Sequence, residues 1–384
     1  MRPLAHFKNS STLAMLALIP ASLFAQTLTR EGNRWVQTIT GTAPAASRLR
    51  VNAEGSVHLE AGGAGAIAYT AKVSVQARRE EDARRILSRY AVRIGTGPDT
   101  VVLSVPGGPD TTSVTVKAPR LTIASIITSD GPVEANGVEG NLEVSSGAGE
   151  LKCDRIGGFA SLTTGGGDIH VGAVQGNLHA STAGGRVMVK TVHGNAVVET
   201  AGGYIEVDNA GGSVSADTAG GAIRVNSAGG PVSAATGGGS IVIGKAGGIV
   251  TVRNMAGPVQ VGAAAGIRAE SGTGGIRVSN ISGPMRVSTT MGSIVATLLG
   301  GPGADSFLAT GNGDITVMIP SNVGVTIRAE SDLADTLRRI VSDFPGVAVQ
   351  MKGTQVVAEG PVNGGGPLLR ISGTGGTIFI KRQP

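Results

Sequence analysis

Residues 203–221 read GYIEVDNAGGSVSADTAGG, and this stretch contains the pattern that decides the fold. Gly203 begins a nine-residue unit and Gly212 begins the next. Each unit consists of the glycine, a variable residue, an apolar residue, a second variable residue, a second apolar residue and then a turn of four residues. Apolar residues with period two over so short a segment predict a β-strand with one buried face.

The same unit occurs 19 times in succession, from Gly131 to the segment around residue 300, with one residue missing between Gly257 and Ala265. Every residue at the two alternating positions of these units is apolar. A threonine recurs in every second unit, at positions 164, 182, 200, 218 and 236, so the structural repeat is two units long and carries two short strands. The repeat predicts an all-β fold: a parallel β-solenoid (a single-stranded β-helix) of about nine to ten 18-residue coils with capping regions at both ends.

Composition supports this fold and excludes several others. Glycine accounts for 62 of 384 residues, aromatic residues for 3% and charged residues for 15%. The glycines do not follow the strict triplets of collagen, and 41% hydrophobic residues is too apolar for a disordered chain. With so few aromatic residues, the core must be narrow and built from Val, Ile, Leu and Ala.

The chain divides into four segments by pattern. Residues 1–25 read as a secretory signal peptide, with a basic start, an apolar stretch and a small residue before Gln26. Residues 26–120 form a β-rich cap with a short helix, and residues 121–300 form the nonapeptide-repeat solenoid. Residues 301–384 add further coils and a cap, including a helix-like excursion around Asp332–Val341. The protein is therefore expected to be exported to the periplasm, the outer surface or the medium, with no transmembrane segment once the signal is removed.

The pattern T-x-G-G-x-I-x-V, the stretch GDITVMIP at residues 313–320 and the ending GGTIFI at residues 375–380 resemble the DUF4097 group. Members of that group are bacterial envelope proteins with β-strand repeats and are usually labelled adhesins. The resemblance extends from about residue 100 to the end of the chain. It implies a β-strand-repeat architecture and an envelope location, and it implies no catalytic residues.

Two pairs of charged residues are candidates for a site. Glu199 and Asp217 lie at the same position of successive coils, so they should stack on adjacent rungs about 4.8 Å apart. That spacing approaches the separation of the carboxylates in a retaining glycosidase. The interpretation favoured here is a pair of solvated turn acids. Arg268 and Arg286 stack in the same way and indicate a binding site for an anionic partner.

The sequence indicates no metal and no cofactor. The nine-residue repeat lacks the aspartate ladder of a calcium-binding roll, and the histidine spacing does not bring together the ligands that zinc requires. The one cysteine, Cys153, cannot form an internal disulfide and occupies an inward position, where a thiol is inert.

These observations predict an exported, non-enzymatic scaffold of the cell envelope or surface, which binds a polysaccharide or a protein through exposed columns of side chains. The positive charge is spread along the chain without interleaved aromatic residues, which argues against nucleic acid. Two alternatives stay open: a polysaccharide lyase or hydrolase that uses Glu199 and Asp217, and a self-assembling structural protein. The oligomeric state, the ligand and the handedness of the solenoid are not predicted.

Overall fold

A computed structural model describes residues 25–63, 65–332 and 339–383. These residues form 36 strands and one helix, α1 (Glu80–Leu87), which lies within the N-terminal cap that was predicted to contain a short helix. The predicted signal peptide, apart from Ala25, and residues 333–338 of the predicted helix-like excursion lie outside the described residues.

The strands form two ladders of 18 strands each, which we call sheet A and sheet B. In spatial order, sheet A consists of β6 (Arg93–Thr96), β7 (Thr100–Val105), β3 (Arg48–Ala53), β9 (Ile123–Thr128), β11 (Asn141–Ser146), β13 (Ala160–Thr164), β15 (Leu178–Thr182), β17 (Ala196–Thr200), β19 (Val214–Thr218), β21 (Val232–Thr236), β23 (Ile249–Ala256), β25 (Gly266–Thr273), β27 (Met285–Met291), β29 (Ser306–Asn312), β35 (Leu368–Gly373), β31 (Val325–Ser331), β34 (Gln355–Val362) and β33 (Ala348–Lys352).

Sheet B follows the other side of each coil. In spatial order it consists of β1 (Ala25–Glu31), β2 (Arg34–Ala43), β5 (Ile67–Gln76), β8 (Thr112–Ala118), β4 (Ser56–Ala61), β10 (Val133–Asn136), β12 (Leu151–Asp154), β14 (Ile169–Val174), β16 (Val187–Val192), β18 (Ile205–Ala210), β20 (Ile223–Ala228), β22 (Ile241–Ala246), β24 (Val259–Ala263), β26 (Ile276–Ile281), β28 (Ile294–Leu298), β30 (Ile315–Ile319), β36 (Ile378–Arg382) and β32 (Ile340–Ser342).

The central strands pair in parallel with an 18-residue spacing, as in the pairing of Ile205 with Ile223. The predicted parallel β-solenoid is confirmed, with about 11 turns rather than nine to ten. The alternating apolar residues of the repeat are all buried, which confirms the predicted one-sided strands. The core between the two sheets is continuous along the solenoid.

The additional turns come from the flanks, where spatial order departs from chain order. Near the N-terminus, β3 lies between β7 and β9, and β4 lies between β8 and β10. Near the C-terminus, β35 lies between β29 and β31, and β36 lies between β30 and β32. The sequence predicted further coils in residues 301–384, and β35 and β36 keep the nine-residue spacing, from Leu369 to Ile378 and from Ile371 to Ile380. The period did not reveal the spatial order of these strands or the turns contributed by β3 and β4.

Antiparallel strands cover most of the outer ladder edges. β6 pairs antiparallel with β7 at one end of sheet A, and β34 pairs antiparallel with β31 at the other. At the N-terminal end of sheet B, β5, β2 and β1 add antiparallel strands beyond β8, and α1 packs on β5. Covering of this kind blocks the open edges through which parallel solenoids would otherwise pair with further chains.

In the regular central coils, one corner is closed by a column of buried threonine hydroxyl groups. Thr200 Oγ1 donates to the carbonyl oxygen of Gly185 (2.9 Å) and accepts from the backbone N–H of Gly203 (3.2 Å). The same pair of contacts is made by the threonine of the coils before and after, at Thr182 and Thr218. The recurring threonine therefore marks a hydrogen-bonded corner that satisfies buried backbone groups between successive coils.

Candidate functional site

The outward side chains of sheet A form columns that run along the solenoid, because parallel strands in register place equivalent residues one above another. Glu199 of β17 pairs directly with Asp217 of β19, so the two carboxylates occupy adjacent rungs as predicted from their spacing. Both side chains are exposed. Arg268 of β25 likewise pairs with Arg286 of β27.

The carboxylates lie in a shallow groove on this face, with a volume of about 1040 Å³. We call it the carboxylate groove. Its lining includes Ala201, Ala219 and Ala235, and the Met255 side chain, which is 74% exposed, stands at the end near β25. The groove therefore combines small apolar side chains with the charged side chains of Glu199, Asp217, Arg253 and Glu270.

Two charged residues of the groove were missed by the sequence reasoning. Ala235 pairs with Arg253, and Arg253 pairs with Glu270. The column therefore continues from the two acids through an alanine to an arginine and a third acid. Arg253 follows Asp217 by two full periods of the repeat, so the spacing contained the signal.

The environment of the groove changes the ionisation of Asp217. Partial desolvation raises the pKa of the Asp217 carboxyl, the neighbouring Glu199 carboxylate raises it further, and Arg253 opposes both effects. A carboxyl group whose pKa is raised by a second carboxyl group beside it is an arrangement that can divide acid and base roles in hydrolysis.

The arginine pair belongs to a longer column, which we call the arginine column. After Arg286 the column continues through Phe307, Arg370 and Arg328, each paired with its neighbour in the parallel ladder. The first two members were predicted from the sequence, and the other three were not. These three follow the break in the nine-residue period, and the order of β29, β35 and β31 in the sheet differs from their order in the chain.

Three of the four arginines in the arginine column have no side-chain partner among the described residues. In the part of the chain that the structure describes, Arg268, Arg286 and Arg370 make no ion pair and no side-chain hydrogen bond. Arg328, at the end of the column, pairs with Glu330 (2.8 Å) and lies 3.6 Å from Glu359. The Phe307 ring between the arginines is 38% exposed.

On the outward face of sheet B, several charges between β12 and β18 are paired. Arg186 makes a two-pronged contact with Asp168, with nitrogen–oxygen distances of 2.9 and 2.6 Å, and lies over the ring of Tyr204. This contact lowers the pKa of Asp168. Glu150 contacts both Lys152 (3.1 Å) and His170 (3.2 Å). Paired surface charges of this kind leave little unsatisfied charge to attract a ligand.

Cys153 is buried in the core, and burial raises the pKa of its thiol to about 12. Across residues 25–63, 65–332 and 339–383, no group of three or more His, Cys, Asp or Glu side chains is arranged to hold a metal ion. No helix within the same ranges has the length and apolar character needed to cross a membrane.

Comparison with solved structures finds several proteins with low overall similarity. A "putative cell adhesion protein" from Clostridium sporogenes is 9% identical, over 91% of this chain and 100% of that chain, with a TM-score of 0.21. A "putative adhesin" from Bacteroides fragilis is 12% identical, over 90% and 97% of the two chains, with a TM-score of 0.22. A "putative lipid binding protein" from Parabacteroides distasonis is 9% identical, over 91% and 98%, with a TM-score of 0.20. No family model matches the chain, and neither does any curated protein sequence.

Proposed function

We propose that this chain is an exported, non-enzymatic scaffold of the cell envelope or surface, which binds an extended polymer or a partner protein along its solenoid. The observation that carries the proposal is the arginine column, in which Arg268 and Arg286 stand on adjacent rungs of an exposed sheet face without a partner among the described residues. A rigid ladder holds these groups at a fixed spacing, so binding requires little ordering of the protein.

Membership of the DUF4097 group is part of this proposal. It is supported by the glycine and apolar motifs of the sequence, and it agrees with an envelope location. The predicted signal peptide supports export. The covered ladder edges argue against the alternative of a self-assembling fibre, since end-to-end stacking of coils would need free parallel strands at both ends.

The proposal is tested with the mature protein, from Gln26 to the C-terminus, mixed with a panel of envelope and extracellular polysaccharides. Co-sedimentation measures binding, and the same samples are assayed for new reducing ends and for unsaturated sugar products. Binding without product supports the scaffold. Product that forms with the wild-type protein and disappears in the Glu199→Gln/Asp217→Asn variant would overturn it.

A second candidate function is polysaccharide cleavage in the carboxylate groove. The observation in its favour is the raised pKa of Asp217 beside the Glu199 carboxylate, with Arg253 in the same column. The groove has no aromatic residue to hold a sugar ring, since its lining consists of alanine, glycine, serine, threonine, asparagine, methionine and charged side chains. For that reason we assign the binding role to the arginine column.

A further inference from the structure

We propose that the arginine column binds a linear anionic polysaccharide whose carboxylate or sulfate groups pair with the arginines and whose chain runs along the solenoid axis. This inference rests on the proposed function of a binding scaffold and specifies the class of polymer and its direction.

The spacing of the column sets the direction of the polymer. Arg268, Arg286, Phe307, Arg370 and Arg328 occupy five successive rungs of sheet A. At about 4.8 Å per rung, the column is about 19 Å long. Only a chain that lies across the strands, parallel to the axis, passes over all five side chains. A rung is similar in length to one sugar unit of an extended glycan, so successive acidic groups can meet successive arginines.

The charge of the column favours an anionic ligand. Like charges on directly opposed residues of neighbouring strands are unfavourable, and Arg268 and Arg286 have no acidic partner among the described residues to offset this. Guanidinium groups bind carboxylate and sulfate oxygens through two parallel hydrogen bonds, which gives both attraction and orientation. Glu330 and Glu359 neutralise Arg328 and so mark one end of the site.

The residues beside the column leave room for a polymer. Ser288, Ala309 and Ser372 occupy the next outward position of β27, β29 and β35, and all three are small and half-buried. Along these three strands the arginine column therefore stands beside small side chains, and the same position carries Glu270 on β25 and Glu330 on β31, at the two ends of the column. The Phe307 ring lies between Arg286 and Arg370, where its exposed face can pack against the apolar face of a sugar ring.

The same features argue against other polyanions. Single-stranded nucleic acid binds to proteins through several aromatic side chains on which successive bases stack, and this column has one. Binding to an anionic membrane surface requires apolar side chains that enter the headgroup region beside the basic residues. The next outward positions here carry serine or alanine on β27, β29 and β35 and glutamate on β25 and β31.

The test compares three forms of the mature protein: wild type, an Arg286→Ser/Arg370→Ser column variant and an Arg277→Ser/Lys190→Ser control. Arg277 and Lys190 are exposed on sheet B, so the control loses the same charge from the opposite face. Binding is measured by co-sedimentation with polygalacturonate, with dextran sulfate and with neutral dextran. Oligo-dT and vesicles of phosphatidylglycerol are measured beside them.

We expect wild type and control to bind polygalacturonate or dextran sulfate and not dextran. We expect the column variant to bind at least about tenfold more weakly, since two charge-assisted contacts are lost. Phe307→Ser should weaken polysaccharide binding without changing its dependence on salt. Circular dichroism of each variant verifies that the fold is retained.

Each other result overturns the inference in a distinct way. If the wild type binds neutral and anionic polysaccharides equally and the column variant binds as well as the control, the scaffold function stands and the column is not its site. If oligo-dT or the vesicles bind more tightly than the anionic polysaccharides, the class of ligand is wrong. If the wild type binds no polymer of the panel, the inference fails together with the polysaccharide form of the proposed function.

Discussion

The hydrogen-bonded threonine corner gives a sharp test of what holds the coils together. Thr218 is 6% exposed, and its hydroxyl donates to the carbonyl oxygen of Gly203 (3.0 Å) and accepts from the N–H of Gly221 (3.1 Å). Thr218→Val keeps the shape of the side chain and removes both hydrogen bonds. The carbonyl and the N–H then lose their side-chain partner inside the corner.

The expected cost follows from the exposure of these two backbone groups. A buried polar group without a partner costs about 1–3 kcal/mol. Gly203 and Gly221 are both half-buried, so water replaces part of the lost bonding and the lower end of that range applies to each. We therefore expect Thr218→Val to reduce the local stability by about 2 kcal/mol. Opening of the corner, and exchange of the Gly221 amide hydrogen, should become about 30-fold faster.

Hydrogen exchange is the appropriate assay, because a solenoid unfolds by segments and a single global midpoint does not isolate one corner. Thr218→Ser retains the hydroxyl and should leave Gly221 protected. Thr251→Val changes a half-buried outward threonine that makes no side-chain hydrogen bond in the described structure, and should alter stability by less than about 0.5 kcal/mol. Equal exchange of the Gly221 amide in Thr218→Val and Thr218→Ser would refute the role assigned to the hydroxyl.

Three further predictions concern single positions. A Cβ at Gly221 would meet the carbonyl oxygen of Gly203, whereas one at Gly220 meets nothing within 4 Å. Gly221→Ala should therefore reduce the local stability measured by hydrogen exchange by about 1–3 kcal/mol, and Gly220→Ala should leave it almost unchanged. Cys153, with a thiol pKa of about 12, should react with a thiol reagent at pH 8 only after denaturation, and prompt reaction of the folded protein would contradict its burial. The pKa of Asp217 is raised in the folded state, so its ionisation opposes folding at neutral pH and this cost disappears as the pH falls through the folded pKa. Asp217→Asn should accordingly raise the melting temperature at pH 7 and not at pH 3, and an equal shift at both values would show another cause.

The repeat made the central fold predictable because one pattern carried several constraints at once. Period-two apolar residues defined the inward face, and the recurring threonine defined the coil. Each inward residue, such as Val207, is buried as this reasoning requires. The function of the threonine was not predictable from its period. Its hydrogen-bond partners, such as the carbonyl oxygen of Gly185 for Thr200, depend on how successive coils close the corner.

The candidate sites were predictable only where chain order and spatial order agree. Glu199 and Asp217 lie one period apart within the regular repeat, and so their adjacency followed from counting. In the chain, strands β30 to β34 lie between Phe307 and Arg370. Arg370 nevertheless joins the arginine column, because β35 pairs with β29 after the chain has formed β31 to β34. No local spacing encodes such a return, which depends on the packing of the whole C-terminal cap.

The position of the irregularities explains how the outward columns survive them. Val250 pairs with Ile267, so this coil is one residue shorter than the regular period. Arg286 pairs with Phe307, so that coil is three residues longer. A shift of one residue within a strand would exchange its inward and outward faces. Both changes in length fall instead at the corner between a sheet B strand and the next sheet A strand, the second of them at positions 299–305. The corner absorbs the change, the inward residues stay buried, and the arginines of β25 and β27 remain in one column with the residues that follow. The face that we assign to binding is thus extended past a break in the repeat without losing its register.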